Sequence, residues 1–135
     1  MARIIDVEGI GPTYKAALKE KAGITTTEAF LEAAKTPRAR EALAAKAGIG
    51  EKLILEWADL SDLFRIKGIG SEYSDLLEEA GVDTVVELAN RNPDSLFKTM
   101  NETNVKKALV RRMPTAKQVK DWVAQAKKLP RVLTY

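Results

Sequence analysis

The stretch Arg65-Ile66-Lys67-Gly68-Ile69-Gly70-Ser71-Glu72-Tyr73-Ser74-Asp75-Leu76-Leu77 constrains this chain most, because two glycines flank one isoleucine between two amphipathic segments. Upstream, Leu53, Trp57, Leu60 and Phe64 fall at i, i+4, i+7 and i+11, and downstream Ile69, Tyr73, Leu76, Leu77 and Ala80 repeat that spacing. Each segment therefore reads as a helix with one apolar stripe, and stripes joined by so short a link must face each other. Gly68 supplies the positive φ that such a turn needs without a Cβ penalty, and Ile69 can plug between the helices. Gly70 leaves the N–H groups of the next helix start uncovered, and bare amides at a helix N-terminus suit an anion.

The pattern recurs in full at Val7-Glu8-Gly9-Ile10-Gly11 and in part at Ala47-Gly48-Ile49-Gly50. Superposing Gly9 on Gly68 places Tyr14 on Tyr73, Leu18 on Leu77 and, after one deletion, Ala22-Gly23-Ile24 on Ala80-Gly81-Val82. Gly23 and Gly81 read as the residues just past helix ends. Thr25 and Glu28 have the spacing of a capping box, with Asp83-Thr84-Val85-Val86-Glu87 as the counterpart. Thr36-Pro37 and Asn92-Pro93 each place an N-cap before a proline at the first helical position. Trp57 and Trp122 each lie seven residues after the third position of a turn, Gly50 in one half and Thr115 in the other. The fourth turn departs from the pattern: Met113-Pro114-Thr115 has no glycine, so Thr115 is expected to cap its own helix instead of leaving donors open.

No segment alternates as a strand would. These signals predict an all-α chain of about ten helices, several very short, in two tandem units, residues 1–62 and 63–135, packed as one compact helical domain. The fourth hairpin is degenerate in this reading.

The sequence apolar-x-Gly-apolar-Gly before an amphipathic helix resembles the helix-hairpin-helix DNA-binding motif. Nearly the whole chain is similar to a little-characterised bacterial family of tandem helix-hairpin-helix proteins, in which Gly-Ile-Gly is followed by a tyrosine and a Trp-bearing helix ends each half. The resemblance implies that each half is an (HhH)2 unit whose hairpin amides hold a DNA backbone phosphate without reading base identity. No cofactor is expected; in proteins with this motif a monovalent cation is often bound by hairpin carbonyls, and the resemblance extends to such a cation here. It implies no established activity for that family.

Composition narrows the chemistry. There is no cysteine and no histidine, which excludes serine–histidine triads, zinc hydrolysis and cysteine proteolysis. Acidic pairs such as Glu78-Glu79 have no convergent partner in the sequence, so the expectation is a non-enzymatic protein with no small-molecule substrate. No apolar run approaches the roughly 20 residues needed to span a bilayer, and the first residues lack the apolar region of a signal peptide, so a cytoplasmic protein without membrane contact is expected. The net charge of +3 hides an uneven distribution. Residues 1–62 carry 9 Lys/Arg against 10 Asp/Glu, residues 63–97 carry 3 against 7, and residues 98–135 carry 10 against 2. The last third is the electropositive end, as a phosphate backbone or an acidic protein would require.

Two readings stay open from the sequence. In the first, the chain is a sequence-independent DNA-binding module, with duplex DNA gripped by Lys67, Gly68, Ile69, Gly70 and Ser71 and, secondarily, by Gly48, Gly50 and Lys52. Lys106, Lys107, Arg111, Arg112, Lys117 and Lys120 then supply attraction. The first turn is a poor site because Asp6 and Glu8 precede Gly9. In the second, the chain is a protein-interaction or scaffold module that binds no nucleic acid. Tyr14, Tyr73, Trp57 and Trp122 are in register with the apolar stripes and read as core in both, not as platforms for stacking bases.

Overall fold

Caps written into the sequence set where most helices begin. The computed structural model describes residues 2–135 and is all-helical. After a 3-10 turn at Ile4–Asp6 come α1 (Pro12–Ala22), α2 (Thr27–Ala33), α3 (Pro37–Ala47), α4 (Glu51–Leu63), α5 (Ser71–Glu79), α6 (Val85–Ala89), α7 (Pro93–Lys107) and α8 (Ala116–Lys128). Thr36 accepts from the Ala39 amide and Asn92 from those of Asp94 and Ser95, with a proline at N1 of α3 and α7. Thr115 and Gln118 form a reciprocal capping box at the start of α8. One predicted cap moves. Thr26, not Thr25, caps α2 by accepting from Ala29, because the Thr25 carbonyl already accepts the Ile4 amide.

Stops obey the same logic. Gly23 ends α1 at φ +69°, and Gly81 lies just past α5 at φ +96°. Helix α7 ends differently, on Ala108 at φ +50°, a conformation unfavourable for a residue with a Cβ. Asn104 fixes the path of the chain beyond it: its side chain accepts from the Val110 amide and donates to the Val110 carbonyl. The chain from 108 to 115 thus runs without helix, and the described residues hold eight α-helices and the 3-10 turn where about ten helices were expected.

Contacts divide the chain into two units, residues 1–62 with 131–135 and residues 63–130. In the first, α1 packs on α3, and Trp57, Phe30, Leu18 and Ile54 are among the fully buried side chains. In the second, α8 packs on α6 and α7, α5 packs on α7, and Trp122 is buried with Leu63, Ile66, Leu76, Leu77 and Leu88. Each tryptophan is 1% exposed. Burial of a side chain that large dominates its unit, since removing it costs about 3–5 kcal/mol. Among the described residues no helix is long and apolar enough to cross a membrane.

Candidate functional site

In both units, what fixes the first glycine of the Gly-Ile-Gly turn is a tryptophan. Gly9 has φ +92° and Gly68 has φ +99°, the left-handed region that a side chain strains. A Cβ on Gly9 would stand 3.1 Å from Trp57 Nε1, and one on Gly68 would stand 2.9 Å from Trp122 Nε1. The indole of the last helix in each unit therefore lies on the bare face of the turn. Ile10 and Ile69 plug inward, 3% and 4% exposed. A tyrosine completes each contact: Tyr14 meets Trp57 edge-on at 4.9 Å and Tyr73 lies tilted against Trp122 at 5.3 Å. Tyr14 is nonetheless exposed and Tyr73 half-buried, so these rings rim the core instead of filling it.

The second glycine has no such reason. Gly11 and Gly70 are extended, Gly50 is outside the left-handed region, and a Cβ on any of the three would meet nothing within 4 Å. Neither backbone conformation nor internal packing demands glycine there. At Gly70 the consequence for the helix start is clear. Gly70 provides no side-chain cap to α5, and among the described residues no hydrogen bond takes up the amides of Gly70, Ser71, Glu72 or Tyr73. Gly70 and Ser71 are half-buried and Glu72 is exposed, so these donors border solvent.

The third turn is held from α8 and dressed from the 108–115 segment. Gln125 accepts from the Lys67 amide at 2.9 Å and donates to the Lys67 carbonyl at 3.1 Å, so the backbone before Gly68 is pinned at both polar groups. The Tyr73 hydroxyl donates to the Arg112 carbonyl, and Arg111 Nε lies 3.8 Å from Glu72. The backbone at Arg112 and the Arg111 side chain are thereby brought to the first turn of α5, which follows Lys67, Gly68, Ile69, Gly70 and Ser71 in the chain. Arg111 and Lys67 are exposed, whereas Arg65 turns its guanidinium to the Pro130 carbonyl.

Other predicted residues lie elsewhere. Lys107 pairs with Glu79 at the far end of α5, about 12 Å along the helix from the open amides. On α8, Lys120 projects about 140° around the helix from Gln125, away from the turn, and Lys117 about 80°. Lys106, Lys117 and Lys120 are exposed and make no ion pair among the described residues. The basic third thus divides: Arg111 reaches the first turn of α5, and Lys107 and Lys120 lie elsewhere. The fourth turn offers no open donors at Thr115, because Gln118 and Thr115 satisfy each other.

At the second turn, Gly48 ends α3 at φ +69° and Gly50 precedes α4. Lys46 and Lys52 flank it, both exposed. A third cation was not foreseen: Lys21 Nζ lies 3.5 Å from where a Gly48 Cβ would stand, delivered by the packing of α1 on α3. No local signal marks Lys21, since only the tertiary contact places it there. Asp75, Glu78 and Glu79 bring carboxylate oxygens within 4.8 Å of one another on one face of α5, where Glu79 also meets Lys107.

Neither a curated protein nor a solved structure matches the chain significantly. A family model does, over residues 8–129, which takes in all three glycine turns, both tryptophans and the segment carrying the arginines. The chain belongs to the family described as domain of unknown function (DUF4332).

Proposed function

We propose that this protein is a non-enzymatic, sequence-independent DNA-binding module of the tandem helix-hairpin-helix type, which grips backbone phosphates through main-chain amides. The observation that carries the reading is Gly70: its own fold gives no reason for a missing Cβ, and the amides of Gly70 to Tyr73 lack partners among the described residues. A phosphate oxygen approaching those donors needs the space that a side chain would take, and the helix dipole and Arg111 favour its charge. Contacts of this kind fix position along a backbone and carry no base identity. The Gly48–Glu51 turn with Lys21, Lys46 and Lys52 is the second grip, and a cation on turn carbonyls is compatible with either.

A scaffold role for a protein partner is the second reading. It is favoured by Glu72 standing beside Arg111, by the Lys107–Glu79 pair and by Lys120 projecting away from the turn. Retention of an arbitrary duplex as salt is raised from low to physiological separates the two. The first reading expects binding at low salt that weakens with a log–log slope of about −0.9 per phosphate engaged. Absent or salt-independent binding removes it in favour of the second.

A further inference from the structure

Residues 131–135 form no helix and lie beside the first unit, of which they are part. Their attachment is directed through the backbone. The Thr134 amide donates to the Lys35 carbonyl at 2.9 Å, and the Thr134 carbonyl accepts from the Arg40 guanidinium at 2.8 Å. Arg40 also donates to Ala34, at 2.9 Å, so one guanidinium bridges the turn after α2 and the extended segment. Leu133 is 3% exposed, the Tyr135 ring centre lies 5.5 Å from Arg40 Cζ, and the Tyr135 hydroxyl donates to Asp59.

We propose that the first unit carries a slot for an extended peptide, and that residues 131–135 fill it in cis as a releasable strap. The slot reads an aliphatic side chain, then one residue by both backbone polar groups, then an aromatic ring over a cation. Two features make it a slot and not just a packed segment. Arg40 is only 6% exposed with the segment in place, and lifting the segment uncovers the guanidinium while Ala34 still holds it, so the donor that Thr134 used is left oriented for a chain that presents a carbonyl there. Leu133 is the one buried side chain of the five residues, and Tyr135 borders an open cleft of about 440 Å³ shared with Pro37, Arg40, Glu51, Lys52 and Leu55. Segments anchored by so little apolar surface open locally, well below the free energy of global unfolding.

The test uses the full chain with Leu133→Asp, which frees the slot, and a fluorescent peptide of residues 129–135 followed by anisotropy. The altered chain should bind the peptide about tenfold tighter than the wild type or better, because in the wild type the slot is competent only for the fraction of time the strap is off. A peptide carrying Leu133→Asp should bind neither. No binding, or equal binding, by an altered chain whose Trp57 environment is native overturns the proposal. If Leu133→Asp unfolds the first unit, amide exchange of the wild type decides. Exchange at Thr134 about a hundredfold or more faster than at Ile54 of α4 supports release, and equal rates overturn it.

Discussion

The turns at Gly9 and Gly68 share one skeleton and differ in what surrounds it. Both glycines are left-handed, both meet an indole nitrogen, and both are followed by a buried isoleucine, an open glycine and a tyrosine on the tryptophan. Around Gly9, however, Asp6 is engaged by Arg3, Glu8 is exposed, and no side chain holds the Glu8 backbone among the described residues. Around Gly68, Gln125 pins Lys67 while the Arg111 side chain meets Glu72 and the Arg112 carbonyl takes the Tyr73 hydroxyl. What the fold needs is thus separable from what a ligand would need. The first glycine, the isoleucine and the tryptophan build the turn, and under the proposed function charge and the second glycine would decide what it can hold.

The comparison can be broken first at the shared skeleton. Trp122→Ala should destabilise the second unit by about 3–5 kcal/mol, and Trp57→Ala the first by a similar amount. With one tryptophan in each unit, the remaining indole's fluorescence in thermal melts reports the untouched unit, which should change much less. Gly68→Ala should cost about 2–3 kcal/mol, from a strained φ and a Cβ 2.9 Å from Trp122 Nε1, with Gly9→Ala slightly milder at 3.1 Å. Equal stability of either variant and the wild type would break the proposed role of the indole contact.

The differences between the turns yield smaller effects. Lys67→Glu with Arg111→Glu should lower the salt slope of duplex binding by about two while leaving the melting temperature nearly unchanged. Gln125→Leu gives α8 the residue that α4 carries at the corresponding place, Leu60, and should cost about 1 kcal/mol by leaving the Lys67 amide and carbonyl to water. The smallest effect belongs to Asp83, whose carboxyl pKa is raised from its ordinary value by burial. A raised native value means that the charged form is disfavoured in the fold, so stability from this group is present at low pH and lost as pH rises through its native pKa. Asp83→Asn should therefore melt slightly higher than the wild type at neutral pH, and that gain should vanish in acid.

Much of this was legible in the sequence because it is local. Caps at Thr36, Asn92 and Thr115, the stops at Gly23 and Gly81, and the apolar stripes that bury Trp57 and Trp122 all derive from spacings within a few turns of helix. Thr25 misled because its carbonyl is claimed by Ile4, about twenty residues away in the chain. Gln125 on Lys67, Lys21 beside Gly48 and Arg40 under the strap join residues far apart in sequence, and no periodicity announces them. The placement of the basic third was not legible for the same reason: charge counts are linear, whereas helical phase sends Lys120 away from the turn and Glu79 pairs with Lys107.

Backbone amide shifts during titration with an arbitrary duplex at low salt test the central claim most directly. The account predicts that the amides of Gly70, Ser71, Glu72 and Tyr73 move first and farthest and return as salt is raised, and that Gly70→Ala suppresses the shifts with the fold retained. Shifts confined to other surfaces, or undiminished in Gly70→Ala, would contradict it.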